Sequence, residues 1–555
     1  MKQILLSAFC LLASLSIVSA VEQKSSKPDR PLRQAQGSNQ APAFAKATAD
    51  MQDMPNIIFI MTDDQGYAPV GAHGHPWIRT PQLDKMHAQS IRFDRFMMGS
   101  TCAPSRAGIM TGVHSIKNGV THTIYERERV NLKAITIPQV LKPVGYTSGY
   151  FGKWHLGDEA PYQPENRGFD EVFIHGAGGI GQAYPGSCAD VPKNTYFNPV
   201  IKHNGKFVKT QGYCTDVFFK ATMGWIQSVK DSDQPFFAYL STNAPHSPFV
   251  APPEYHKHYL DIGFSTKAAG FYGMIEHIDD CMGQMFKQLE AWGIMENTII
   301  IFTSDNGTTT SGNGLKGKAG RPQVKLGTDK DGKPMMSYNA GMKGLKGTVE
   351  EGGVRVPCFV LWNGVIKEGK TVDRVVSYLD ILPTLADFAG AELPSAQVFE
   401  GRSLKPLIFE KDPVWKDRFH FQHVTRWNRG ADPDKFKWES YSVRNQRFRL
   451  VTDALYDMEN DPGQNKDVAA EHPELVSEMK KAYEKFWDEA RPLMINDGVP
   501  LAKERPFHVD YNAQKASSGI PDWQVPTLKW EDSYTGGPTG YGNKQPKEKV
   551  GKKKK

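Results

Sequence analysis

The chain is 555 residues long, more than one ordinary core accommodates, so more than one domain is expected. Apolar residues make up 39% and charged residues 23%, the balance of a soluble globular protein, and no segment beyond the N-terminus is long and apolar enough to span a membrane. The formal net charge of +6 is matched by the tail Lys544 to Lys555, with seven lysines and one glutamate; the body is near neutral, the tail reads as a solvated, disordered end, and nothing points to nucleic acid.

The first twenty residues read as a secretory signal peptide. Lys2 supplies the positive start, Ile4 to Val18 is almost unbroken apolar sequence, and Val18-Ser19-Ala20 offers small residues for cleavage. The run falls short of the roughly 20 residues that span a bilayer, so no stable membrane insertion is expected. Bulky Phe9 ahead of Cys10 argues against a lipoprotein anchor. The expected location is secreted or periplasmic. Residues 21–54, rich in Ser, Gln, Pro, Ala and Lys without an apolar period, read as a flexible linker.

The body alternates strand-like and helix-like runs. Asn56 to Met61 is apolar and ends at Thr62-Asp63-Asp64; Thr80 to Ser90 has a helical pattern. Ser100-Thr-Cys-Ala-Pro-Ser-Arg-Ala-Gly108 reads as a loop entering a helix, with Pro104 in the first turn. That places Cys102 where backbone N–H groups favour an anion, and Arg106 adds a permanently charged fork. Thr136 to Lys142 is helical, and a short run ending at Phe151 precedes Gly152-Lys153-Trp154-His155. Pro235 to Ser241 is a strand shortly before Pro245-His246. Ala268 to Trp292 is a long helix whose Glu276, Asp279 and Asp280 read as a solvated face. Thr298 to Thr303 is a strand ending at Ser304-Asp305-Asn306-Gly307. Lys343, Lys346 and Arg355 lie among five glycines between Gly341 and Pro357, Val356 to Trp362 is a further apolar run, and Asp380 to Ala389 is helical. Five cysteines follow the signal peptide, without zinc spacing; Cys188 and Cys214 flank a loop-rich segment and could pair, while Cys281 and Cys358 read as buried thiols.

After about residue 415 short strands near 438–443, 448–452 and 454–457 precede an amphipathic helix from Glu474 to Ala490. Beyond Pro492 an extended wrap and then disorder are expected. The reading is an α/β fold: a large central, mostly parallel mixed sheet flanked by helices, with a smaller C-terminal α+β domain of antiparallel sheet plus helix. The expected divisions are a catalytic domain at 55–414, the smaller domain at 415–492 and a C-terminal segment at 493–555.

Asp63 and Asp64 follow one strand, and Asp305 and Asn306 another, beyond the carboxyl ends where open α/β sheets place ligands. Hard oxygen ligands suit Ca2+ or Mg2+ rather than zinc. Arg106, Lys153, His155, His246 and Lys346 could surround a tetrahedral oxyanion and stabilise charge in sulfuryl or phosphoryl transfer. Cys102 could act there as a low-pKa thiol or as the precursor of another group.

In order along the chain, these features resemble the type I sulfatases of the alkaline phosphatase superfamily. The resemblance covers about Pro55 to Ala490. It includes the Cys-x-Pro-x-Arg signature at Cys102, His73-Gly-His75-Pro-Trp-Ile-Arg-Thr-Pro-Gln-Leu-Asp84, Gly168-Phe-Asp170, Glu350-Glu-Gly-Gly-Val-Arg-Val-Pro357 and Leu455-Tyr-Asp-Met-Glu-Asn-Asp-Pro-Gly463. It implies that a maturation enzyme oxidises Cys102 to formylglycine, and that Asp63, Asp64, Asp305, Asn306 and the modified Cys102 bind calcium, with Mg2+ second. It implies that Arg106 and Lys153 hold the formylglycine hydrate, His155 is its base, and His246 and Lys346 hold sulfate and assist departure of the alcohol. Glu351 and Arg355 are then structural. One hydroxyl of the hydrate attacks sulfur and the other, once deprotonated, lets the aldehyde re-form. The family often has Gly-Asp where Ala68-Pro69 stands here, outside the expected metal shell.

The implied function is an exported sulfatase acting on sulfated carbohydrate. The alternatives are a phosphonate or phosphate ester hydrolase of the same superfamily and a non-catalytic glycan-binding relative. Candidate substrate-binding residues are His175, Arg321, Arg426 and Trp427, with Tyr184 and Arg429 beside them.

Overall fold

A computed structural model describes residues 54–125, 127–309, 325–411, 413–427, 430–494 and 504–533. Residues 1–53, where a signal peptide and linker are expected, lie outside these residues, as do Arg321, Arg429 and the lysine tail. Among the described residues no helix is long and apolar enough to cross a membrane.

In chain order the first half holds β1 (Asn56–Thr62), α1 (Pro81–Gln89), β2 (Ile91–Met97), α2 (Cys102–Thr111), α3 (Ile137–Leu141), β3 (Thr147–Lys153), β4 (Glu171–His175), β5 (Val200–His203), β6 (Lys206–Lys209), α4 (Cys214–Val229) and β7 (Phe236–Ser241). There follow α5 (Pro253–Asp261), α6 (Thr266–Ala291), β8 (Thr298–Ser304), β9 (Lys325–Thr328), β10 (Pro334–Met336), α7 (Glu351–Val354), β11 (Arg355–Val356), β12 (Cys358–Leu361), β13 (Thr371–Ser377), α8 (Ile381–Phe388) and α9 (Lys405–Phe409). The remainder is β14 (His420–His423), β15 (Tyr441–Arg444), β16 (Phe448–Val451), β17 (Ala454–Asp457), α10 (Pro473–Ala490) and α11 (Pro506–Ser517).

Eleven strands form the main sheet in the order β11-β2-β12-β8-β1-β7-β3-β4-β5-β6, with β13 beside β2. The block β8-β1-β7-β3-β4 is parallel. The run read as Val356 to Trp362 supplies β11 and β12 instead, both antiparallel to their neighbours. Strand β1 is buried throughout and apolar from Ile57 to Met61 because both faces are covered. Ile58 and Ile60 join one core with Phe218 of α4 and Ile275 of α6, while Ile57, Phe59 and Met61 join another with Ala107 of α2 and Leu385 of α8. Fully burying each such side chain contributes about 1.5–3 kcal/mol, which holds the strand ends, and the polar residues on them, in register.

The antiparallel sheet β14-β15-β16-β17 and α10 share a third core built on Tyr441, Leu450, Tyr483 and Trp487. Three expectations are corrected. Asp279 of α6 is buried and accepts from Leu83 N at 2.6 Å and Gln82 N at 3.0 Å, answering the unpaired N–H groups at the start of α1, and Glu276 pairs with Arg79. Only Asp280 of that trio is exposed. Cys188 and Cys214 are both free and buried, and Cys214 packs in the core shared by α4 and α6. The C-terminal segment contains α11, nucleated by Pro506 in its first turn and anchored by Phe507 against Ala189, Val191 and Phe207, rather than an extended wrap alone.

Candidate active site

The parallel block explains where the site lies. Thr62 of β1 is in register with Ser304 of β8, so the residues that follow both strands emerge side by side. Asp305 N donates to Thr62 O at 3.0 Å, Asp64 N to Asp305 Oδ1 at 3.1 Å, and Asn306 Nδ2 to Asp64 Oδ1 at 3.0 Å. Asp64 takes φ +70°, and two residues on Gly66 also turns left-handed. A methyl there would fall 2.2 Å from Thr308 N, so only glycine lets the two loops approach.

Cys102 is the first residue of α2, a helix with no exposed residue, and its Sγ lies within 4.8 Å of a carboxylate oxygen of both Asp63 and Asp305. One turn along α2, Arg106 donates from Nε and Nη2 to Asp305 Oδ2 at 3.1 and 2.7 Å. Its Nη1 donates to Lys153 O at 3.1 Å and to Ser241 Oγ. The fork of Arg106 is thus used on the protein, where it fixes the ends of β8, β3 and β7 relative to one another.

Lys153 ends β3, and its Nζ lies 2.7 Å from Asp63 Oδ2. Lys346 Nζ lies 2.6 Å from Asp64 Oδ1, and His246 Nε2 lies 3.8 Å from Asp64 Oδ2. His246 Nδ1 is 2.7 Å from Ser247 O and donates there, which leaves Nε2 bare. His155, at φ +57°, directs Nε2 at Thr123 O (3.1 Å), while its buried Nδ1 has no partner. Burial, then the charges of Lys153 and Arg106, lower His155 well below the usual histidine range, so the ring is neutral with a free lone pair. Burial, against Asp64 but with Lys346 and Lys153, lowers His246 to about 3.

Three carboxylates share this space. Burial raises Asp63 well above the carboxylate range; Lys153 opposes it, and the neighbouring charges of Asp305 and Asp64 push it further up. Asp64 is held below that range because Lys346, His246 and Lys153 outweigh its burial. Asp63 Oδ1 and Asn306 Oδ1 are buried without a hydrogen-bond donor. Orphaned oxygens and a crowded carboxylate are what a set of hard ligands shows without its cation, so the residues fit an oxygen-liganded divalent metal.

The substrate candidates divide. His175 ends β4, is fully buried and lies over Phe218, with both ring nitrogens unpartnered. Trp427 is buried against Phe436 and Trp487 in the core of the smaller sheet. Packing takes up the Trp427 ring, whereas His175 is in register with Lys153 and as deeply buried as it is. Arg426 and Tyr184 are exposed. The sequence reading missed Ser241 and Thr123, which orient Arg106 and His155; a serine ending an apolar strand and a loop carbonyl carry no sequence signal.

A family model described as Sulfatase matches residues 55–391, and one described as N-sulphoglucosamine sulphohydrolase, C-terminal, matches residues 346–489. The chain belongs to the sulfatase family. This sulfatase is 26% identical over 516 residues to mouse arylsulfatase J, covering 84% of this chain and 82% of that one. It is 28% identical over 399 residues to N-acetylgalactosamine-6-sulfatase of Rattus norvegicus, covering 69% and 71%. Among solved structures, Ps i-CgsB in complex with k-i-k-neocarrahexaose superposes with a TM-score of 0.65 at 25% identity, covering 84% of this sulfatase and 98% of that chain. The protein is therefore a sulfuric ester hydrolase with the fold of that family.

Proposed function

We propose that the protein is an exported, formylglycine-dependent sulfatase that removes sulfate from carbohydrate, with calcium as its resident metal. The observation that carries the reading is the pair of orphaned oxygens, Asp63 Oδ1 and Asn306 Oδ1, in the carboxylate cluster that also receives Cys102. Asp63, Asp64, Asp305 and Asn306 would hold Ca2+, which when bound would polarise a sulfuryl oxygen and favour the ionised form of the attacking hydroxyl. Cys102, once oxidised by a maturation enzyme, would supply that hydroxyl as an aldehyde hydrate.

The chain's own residues do the rest. Arg106 locks Asp305 and the end of β3 in place, so the ligands need no reorganisation. Lys153 and Lys346 bring ammonium groups to the oxyanion. Neutral His155 accepts a proton at Nδ1, and Thr123 O keeps its Nε2 proton turned away. Beside Asp64, Lys346 holds the sulfuryl group and supplies a proton to the departing alcohol, and neutral His246, its Nε2 bare, lines the same side. Support for a carbohydrate substrate comes from relatives named as acting on sulfated sugars.

The test compares hydrolysis of the sulfate and the phosphate ester of one alcohol by protein made with a maturation enzyme. The mass of the peptide carrying position 102, and its capture by a carbonyl-specific hydrazide, are read in parallel. The expected result is an aldehyde at position 102 and a sulfate preference. Unmodified cysteine in active enzyme, or a phosphate preference, overturns the reading.

A further inference from the structure

Between β14 and β15, Arg426 is exposed, and among the described residues it has no hydrogen bond or ion pair. Its position is nonetheless fixed. Thr425 Oγ1, one residue before it, donates to Thr121 O, and Trp427, one residue after it, is buried beneath the Arg127 guanidinium at 5.6 Å. A methyl built on Gly347 would lie 3.9 Å from Arg426 Nη1. Gly347 directly follows Lys346 and donates to Ser100 O at 2.8 Å, two residues before Cys102. Arg426 therefore stands at the rim of the reaction centre.

His122 shares that rim. Its Nδ1 accepts from Thr123 N at 2.8 Å and Ile124 N at 3.1 Å, so the proton of a neutral ring sits on Nε2 and points away from the backbone turn. Burial, then the charges of Arg426, Arg127 and His155, lower His122 to about 3, which keeps the ring neutral and places the Arg426 charge close to it. The same turn supplies Thr123 O, which orients His155. Two donors thus lie together, and one of them, Arg426, is cationic, has no partner among the described residues and stands next to Gly347, which follows Lys346. An unpaired guanidinium held in place beside a binding cleft is best satisfied by an oxyanion on the ligand.

We propose that Arg426 and His122 form a second anion subsite, so that the preferred substrate carries a further carboxylate or sulfate close to the ester that is cleaved. The proposal rests on the sulfatase reading above and narrows its substrate class from sulfated sugars to those with two neighbouring anionic groups. An additional charge-assisted contact of this kind changes affinity by about 10- to 100-fold.

The experiment uses saccharides that share one scissile sulfate and differ in the neighbouring substituent: hydroxyl, carboxylate or a second sulfate. Wild type is expected to favour the doubly charged sugars over the hydroxyl sugar by about 10- to 100-fold in kcat/KM, mainly through KM, with a preference that weakens as salt rises. Arg426→Ala is expected to reduce that ratio to within a few-fold of unity, and His122→Ala to reduce it in part. The carboxylate and second-sulfate arms identify which anion is read. Calorimetric binding of the same sugars to Cys102→Ala, which lacks the nucleophile precursor, repeats the comparison without turnover. A ratio near unity in wild type, or an Arg426→Ala loss equal for all three sugars, overturns the subsite and leaves the sulfatase reading intact. Absence of turnover with a preserved binding preference overturns the catalytic reading and leaves the subsite intact.

Discussion

Lys153 Nζ lies 2.7 Å from Asp63 Oδ2, with neither side chain exposed to solvent, while the other oxygen of Asp63 has no donor. One lysine therefore answers one oxygen of a buried carboxylate, and the other faces the Arg106 guanidinium at 3.8 Å, beyond hydrogen-bond reach. Breaking a buried pair by removing one partner costs about 3–5 kcal/mol. Lys153→Met is expected to lose that much stability in chelator and to recover part of it in calcium. Wild type should gain about 2.7 kcal/mol when calcium reaches a hundredfold excess over its Kd. Chemical denaturation with and without calcium measures both. Superimposable wild-type curves in calcium and chelator would remove the metal from the site.

A second buried carboxylate ties down the C-terminal strand of chain. Asp216 of α4 accepts from Trp530 Nε1 at 3.3 Å, Ser533 N at 3.3 Å and Ser533 Oγ. From α6 it meets His277 Nε2 at 3.3 Å and Cys281 Sγ at 3.6 Å. Lys220 pairs with Asp532 at 2.6 Å beside it. Asp216→Asn exchanges an acceptor oxygen for a donor facing donors, so residues 519–533 should detach and become the first site of limited proteolysis. Trp530→Ala should expose the same segment with a smaller loss of global stability. Cleavage elsewhere at wild-type rates would show that Asp216 holds only the two helices together.

The parts of this molecule that could be read from sequence are those whose cause is local. Strands β1, β7 and β8 are buried along their whole length and apolar in their interiors because both faces are covered, and the polar residues that end them stand out. Asp63, Asp64, Asp305 and Asn306 were visible for that reason. Asp279 was misread because its partners, the N–H groups of Gln82 and Leu83, lie almost two hundred residues away in the chain. Trp427 has a side chain that commonly meets sugars, and only the fold shows that Phe436 and Trp487 cover it. Helix α4 escaped notice because Thr215, Phe218, Phe219 and Thr222 blur its helical period with strand-forming residues.

Buried neutral histidines make the fold sensitive to acid. His75 lies away from the carboxylate cluster, with Nδ1 accepting from Ile78 N at 3.2 Å and Nε2 3.2 Å from Tyr272 Oη. Burial lowers it from the usual 6.5 to about 3. Above pH 6.5 neither folded nor unfolded chain protonates this ring, and its contribution is complete. Between pH 6.5 and 3 the unfolded chain binds a proton that the folded chain refuses, so stability falls with pH, by up to about 1.4 kcal/mol per unit for this one group. His75→Gln should flatten the decline measured by urea denaturation between pH 7.5 and 5. An unchanged slope would assign the acid sensitivity to other groups, such as His423, which burial lowers to about 4.

Gly152 offers a test of how tightly the strand ends must fit. It precedes Lys153, is in register with Ser241 of β7 and adopts φ +104°. A methyl there would fall 1.8 Å from Ser241 O, a backbone atom that can yield only if the strands part. Because Arg106 bridges Lys153 O and Ser241 Oγ, separation of β3 from β7 would displace the lysine and the guanidinium together. Gly152→Ala should therefore cost about 2–5 kcal/mol, the sum of overpacking and left-handed strain, and lower kcat more than KM. Gly205, in the β5–β6 turn, provides the contrast. Its φ is +81° but a methyl would meet nothing within 4 Å, so Gly205→Ala should carry the backbone cost alone, about 1–2 kcal/mol, with kcat unchanged. Thermal unfolding and sulfate-ester kinetics on the two variants separate strain from contact. Equal losses in both would mean that the approach of β3 to β7 contributes nothing beyond the glycine conformation itself.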